Sequence, residues 1–329
     1  MYNVEQVDYF LDSLILEATP GLCASITTPD KVLYSCNKGF RAIDGEKLFM
    51  SRDTSFDMAS LTKIIGPTML CSYLLENKEI SLDSKIKEFF PQSKDYKEAT
   101  IFNLMTHSGG FIPELRLEHF IKNKDEVLPF IFSRKKEYEI GTECRYSCFG
   151  YLVLGFILEK VLSLPLDIAC KRYVFDKLNL SHTSYLPDLT KEFAYTEKKT
   201  CDNLYHPGVV HDENAAFLGG VSGNAGIFST IDDCTKFVQF LLQDDESYLS
   251  HSITQKFSTL YLTTGDEQRA LGFKYYGNGL FGHTGFTGTS ILINKNKQLG
   301  AVLLTNRVHP SRDNKLLLEK RNIFNSFIL

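Results

Sequence analysis

The 329-residue sequence has no basic block, no C-x-x-C pair and no apolar run near the roughly 20 residues that a membrane helix needs. With 36 Lys and Arg against 40 Asp and Glu its formal charge is −4, which argues against nucleic acid and anionic membrane surfaces as partners. Residues 1–16 carry Glu5, Asp8 and Asp12 but have neither a basic start nor an unbroken apolar centre, so they read as an amphipathic helix and not a signal peptide. A cytoplasmic protein is expected, or an exported one whose signal has been removed. The eight cysteines are scattered through apolar segments, which suits reduced, buried thiols. Cys144 and Cys148 could supply half a metal site, but no histidine is near them in sequence, and neither a metal nor a cofactor is expected. The chain shows no internal repeat and no low-complexity linker.

Strand-like patterns sit at the two ends. Residues 21–28 and 31–39 read as a hairpin about Pro29-Asp30, and 271–276, 288–294 and 299–305 as three further strands. Between them helical patterns dominate, at 101–107, 125–132, 149–162 and 166–178, followed by an irregular Gly-rich stretch at 188–226 and helices at 231–242 and 252–260. A terminal helix is expected at 314–327. This order suggests an α+β fold in which both termini build one antiparallel sheet and an all-helical segment is inserted. The expected division is a sheet subdomain at about 1–59 and 245–329, a helical subdomain at about 60–185 and a cleft-lining segment at about 186–230.

The chemistry centres on Ser60-Leu61-Thr62-Lys63. A serine and a lysine at i and i+3 share a helix face, so the amine reaches the hydroxyl, and free N–H groups at a helix start favour the charge that develops when serine attacks a carbonyl. S-x-x-K also occurs at Ser35/Lys38, Ser84/Lys87 and Ser133/Lys136, but only Ser60 opens a long apolar run, 61–75. Gly66-Pro67 inside that run predicts a kink near 63–67.

Three further stretches have two readings each. Tyr146, in Tyr146-Ser147-Cys148, is either a proton-transfer group activated by a lysine or a core tyrosine with a satisfied hydroxyl. His283-Thr284-Gly285 lies between two strand runs, as an edge that a substrate can approach or as a turn with a surface histidine. His107 reads as a structural residue at a glycine-capped helix end. His211-Asp212-Glu213-Asn214 lacks the second histidine of a helical metal site, and the 219–226 glycines lack the G-K-[ST] ending of a phosphate loop, so they read as a turn that lets backbone pass close to backbone.

In this order, Ser60-Lys63, 104–110, Tyr146-Ser147-Cys148 and His283-Thr284-Gly285 resemble the serine β-lactamase and penicillin-binding-protein family, in particular its class C-like branch of carboxypeptidases, esterases and amidases. Val210-His211-Asp212-Glu213-Asn214 and the stretch 304–310 look like the cell-wall-fragment hydrolases of that branch. The resemblance implies a β-lactamase/transpeptidase-like fold with a five-stranded antiparallel sheet. It also implies an acyl-enzyme on Ser60, proton transfer by Lys63 and Tyr146, and an oxyanion hole from the N–H groups of Ser60 and Phe286. Cys148, His283, Thr284, Gly285 and Phe286 would line the substrate site. Two positions depart from the family's pattern: Cys148 stands where asparagine is usual, and His283 where β-lactamases have lysine. Both favour an esterase, amidase or peptidase acting on a small molecule or peptide, plausibly a D-alanyl peptide or muropeptide fragment, over a class C-like β-lactamase; Cys148 also motivates a penicillin-recognising sensor, against which the intact Ser60, Lys63 and Tyr146 argue.

Overall fold

Strands from both ends of the chain meet in one antiparallel sheet in the computed structural model, which describes residues 3–199, 201–243 and 246–329. Near the N-terminus lie β1 (Gly21–Thr27), β2 (Val32–Ala42) and β3 (Leu48–Phe49). A separate two-stranded ladder joins β4 (Phe56–Asp57) to β5 (Phe228–Ser229). The C-terminal third supplies β6 (Leu262–Thr264), β7 (Glu267–Arg269), β8 (Lys274–Gly277), β9 (Leu280–Thr284), β10 (Ser290–Asn294) and β11 (Leu299–Thr305). The order is β3-β2-β1-β11-β10-β9-β8-β7-β6, so nine strands replace the expected five. The additions are β3, β6, β7 and β9, each too short or too glycine-interrupted to show a period of two.

Alternation along the strands divides the core. Leu22, Ala24 and Ile26 of β1 and Ala301 and Leu303 of β11 meet the helices Val4–Leu14 and Leu316–Ser326. Cys23, Val302 and Leu304 point to the other face, where the helix Ile231–Leu242 and the helical segment pack. The first two positions of the N-terminal helix expected from Met1, the subdomain boundary at 245 and position 200 of the cleft segment lie outside the described residues. The stretch 166–178 splits into Leu166–Cys170 and a wider turn, Lys171–Phe175.

The helix Cys148–Leu162 is apolar nearly all round and buried for most of its length. Ser147 caps it, accepting the Phe149 N–H at 3.2 Å. The glycine-rich stretch crosses this helix, and the expected close approach of backbones is observed there: a Cβ on Gly223 would lie 1.9 Å from the Tyr151 carbonyl oxygen, beside Gly155. Backbone on both sides leaves nothing flexible to yield. Gly223→Ala is therefore expected to lower stability by about 3 kcal/mol, read as a lower urea midpoint at unchanged slope.

Candidate active site

The turn that carries Ser60 is held before it becomes a helix. Ala59 adopts φ +45°, a left-handed conformation unusual for a residue with a Cβ. Ser60 lies in a single tight turn, Ala59–Leu61, that runs into Thr62–Ile65 and breaks at Gly66 before Pro67–Glu76. The expected kink is thus a full interruption, and the dipole behind Ser60 is that of only about one turn, so the local N–H groups matter more than a long helix.

Asp57, missed from sequence, fixes this turn. Its buried carboxylate accepts the Ala59 N–H at 2.8 Å and the His211 N–H at 2.6 Å. Burial holds its pKa above the usual carboxylate value despite those two bonds. The hydroxyls of Thr287 and Thr289 donate to the carbonyls of Asp57 and Met58.

Two side chains converge on Ser60, one from the next turn and one from far along the chain. Lys63 Nζ donates to Ser60 Oγ at 3.1 Å and the Tyr146 hydroxyl donates to the same oxygen at 2.6 Å. Lys63 is fully buried, and its ammonium also meets the Asn224 carbonyl at 2.9 Å and Cys148 Sγ at 3.7 Å. Burial presses the lysine to shed its proton; the anionic forms of Cys148 and Tyr146 pull the other way and prevail, so its pKa is raised. Burial also raises the Tyr146 pKa, against the opposing pull of Lys63. The resting pair is ammonium and neutral phenol, so the phenolate that a lysine neighbour favours is not the resting form. Burial pushes the Cys148 thiol up to about 12, an inert thiol. Cys144 Sγ turns away, to the Glu267 carbonyl at 3.4 Å.

The third stretch needs two corrections. His283 is buried on a strand of its own, β9, between β8 and β10, and is not a surface turn residue; burial, with Arg269 and Lys63 nearby, holds its pKa well below the usual histidine value. The strand is no true edge, since β8 follows it, but the last β8–β9 pair is Lys274–Gly282, which leaves His283, Thr284 and Gly285 open on that side. Gly285 is required by the protein itself, because a Cβ there would lie 2.7 Å from the Met58 carbonyl oxygen. The contact sets the Phe286 peptide beside the nucleophile turn. Neither the Ser60 nor the Phe286 N–H has an acceptor among the described residues.

A cavity of about 720 Å³ opens over these groups, lined by Ser60, Tyr146, Cys148 and residues 283–286. Glu114, Leu115 and Arg116 from one loop and His211, Asp212 and Glu213 from another shape its wall. The last three form a brace and not a metal site: the His211 ring stacks on Phe286, Asp212 accepts the Ala215 N–H at 2.7 Å, and Glu213 pairs with Arg116 at 2.6 Å and Arg312 at 3.0 Å. His107, itself at φ +55°, accepts the Ser147 N–H at 3.2 Å and packs against Tyr146. Asn306 and His309 are likewise structural, accepting the N–H groups of Gly21 and Ile43.

Comparison with known proteins places this geometry. A Bacillus subtilis (strain 168) protein named "N-acetylmuramyl-L-alanine amidase" is 27% identical, covering 93% of this chain and 81% of the relative. An Escherichia coli (strain K12) protein named "Putative D-alanyl-D-alanine carboxypeptidase" is 28% identical, with 94% and 84% covered. Among solved structures, the hydrolase EstCE1 superposes with a TM-score of 0.81 at 19% identity, covering 97% of this chain and 98% of that one. A class C β-lactamase gives 0.80 at 20% identity, with 99% and 96% covered. The family model described as "Beta-lactamase" matches residues 15–323, and the chain therefore belongs to the β-lactamase family of serine hydrolases.

Proposed function

We propose that the chain hydrolyses an amide or ester through an acyl-enzyme on Ser60, on a D-alanyl peptide or muropeptide fragment. The observation that carries this reading is the Ser60 hydroxyl held between Lys63 Nζ at 3.1 Å and the Tyr146 hydroxyl at 2.6 Å at the floor of the cavity. In the form of the Lys63–Tyr146 pair that has lost one proton to solvent, Ser60 Oγ attacks the carbonyl carbon and its proton passes to that pair. The tetrahedral oxygen takes the N–H groups of Ser60 and Phe286, each such donor being worth about 3 kcal/mol of barrier. Tyr146 returns the proton to the departing nitrogen or oxygen, and water then releases the acyl group by the reverse sequence. The names of the amidase and carboxypeptidase relatives support the substrate class. His283, held neutral, disfavours efficient grip on a β-lactam carboxylate at this position.

Intact mass after incubation with p-nitrophenyl acetate or a penicillin, on wild type and Ser60→Ala, tests the reading. Wild type should release nitrophenolate with turnover, and Ser60→Ala should lose at least about 10⁴-fold in rate. Equal activity in the two proteins would overturn the mechanism. A lasting penicillin adduct without turnover would mark a sensor.

Because Lys63 is a buried ammonium without a carboxylate partner among the described residues, Lys63→Met should abolish turnover while leaving the thermal midpoint unchanged or higher. A clear fall in that midpoint would mean that the charge supports the fold.

The pH profile follows from the shifts. With Lys63 and Tyr146 both raised, the base form of the pair is scarce at neutral pH and grows as pH rises. For an uncharged ester, kcat/KM should climb through about pH 7 to 9 with a log slope approaching one. His107 and His283, both held well below the usual value, should add no break near pH 6.5.

A further inference from the structure

The stretch 211–214 braces the cavity, and one of its members carries a charge that the brace does not neutralise. Asp212 caps the helix Glu213–Phe217, where its Oδ1 accepts the Ala215 N–H at 2.7 Å. The same oxygen accepts the side-chain amide of Asn224 at 3.1 Å. Among the described residues no cation is in ion-pair contact with Asp212, which lines the cavity. The amide oxygen of Asn224 takes the Ser222 hydroxyl at 2.5 Å, so both ends of that side chain are fixed. Its backbone carbonyl is the one that receives Lys63 Nζ at 2.9 Å. One residue thus holds a carboxylate by its side chain and an ammonium by its main chain.

Charge singles out Asp212. Burial presses Lys63 to shed its proton, and Cys148, Tyr146 and Asp212 oppose it. Burial makes Cys148 and Tyr146 keep their own protons at neutral pH, which leaves the Asp212 carboxylate as the source of negative charge. The other groups facing Lys63 do not replace it. Tyr151 is a neutral phenol, and His107 and His283 are held neutral by burial. Arg269, beyond them, has the wrong sign. Glu114 faces the lysine from the loop across the cavity, but burial and Asp212 both raise its carboxyl towards the neutral form. On the far side of Asp212, Lys199 donates to the Val210 carbonyl at 2.6 Å, and Asp57 is occupied with the N–H groups of Ala59 and His211.

We infer that Asp212 is the counter-charge of Lys63, acting through Asn224 as a positioning residue that sets the proton affinity of the Lys63–Tyr146 pair. This rests on the acyl-enzyme reading of Ser60 and adds the group that tunes its base. The carboxylate does not touch the ammonium, so it favours the charge without taking the proton.

Asp212→Asn tests this, because it keeps an oxygen for the Ala215 N–H and the Asn224 amide and removes only the charge. The readout is kcat/KM for p-nitrophenyl acetate against pH, corrected for hydrolysis in Ser60→Ala. The rising limb should move to lower pH by ~0.5 to 1 unit, the scale of one charge a residue away in a partly buried site. Asn224→Ala, which frees the carboxylate from the residue that holds Lys63, should move the limb the same way by less. Glu114→Gln should also move it less than Asp212→Asn. A limb that stays in place or moves to higher pH in Asp212→Asn, including a uniform fall in rate at every pH, would overturn the inference. So would a shift in Glu114→Gln as large as that in Asp212→Asn. If Asp212→Asn fails to fold, Asn224→Ala decides: a limb at lower pH supports the counter-charge and an unmoved one overturns it. Failure of the hydrolase reading shows separately, as no Ser60-dependent release of nitrophenolate by wild type.

Discussion

A buried ammonium that no carboxylate among the described residues touches is the constraint around which the site is arranged. Lys63 is out of reach of water, and an ion so placed is tolerable only if several polar groups converge on it. Its partners are a backbone carbonyl at Asn224, a hydroxyl at Ser60 and a thiol at Cys148, drawn from three distant parts of the chain. Bringing the Asn224 carbonyl in requires the loop to press onto the helix Cys148–Leu162, and Gly223 and Gly155 make that approach possible. A carboxylate partner would neutralise the charge but fix the proton. Weak dipolar partners leave it available for transfer.

Much of this is legible from local spacing. Ser60 and Lys63, the β1–β2 hairpin, the helix near 149–162 and the interruption at Gly66-Pro67 all follow from signals a few residues long. What stays hidden has no local signature. The Asn224 carbonyl is backbone and carries no residue preference; Asp57 lies three residues before the nucleophile, but its role depends on His211, far along the chain. Arg269 reaches the cavity only because β7 and β8 fall beside β9. The 211–214 stretch has residue types that suit a metal, and tertiary packing turns it into a brace. His283 is hard to place from sequence because a strand of five residues with a central glycine shows no alternation.

The two departures from the family's usual residues affect the charge balance of the cleft differently. Cys148 replaces a strong acceptor with a weak one that stays protonated, leaving Lys63 more dependent on Asn224. His283 removes a cation from β9, and Arg269 and Lys274 place positive charge two strands and one strand away, around the same cavity. Specificity in such a cleft depends on where the field is strongest as well as on which motif residue faces the substrate.

The pairing of β1 with β11 governs the order in which the protein takes shape during synthesis. β1 is among the first strands made and β11 among the last, with residues 28–298 emerging between their partners. Until β11 has been made β1 has only β2 beside it, while contacts within the helical segment span shorter stretches of chain and can close sooner. β9, which leads into the loop with Phe286, docks in that same late stage. The turn that carries Ser60 and Lys63 is thus made long before Tyr146, Asn224 and the loop after β9 that surround it.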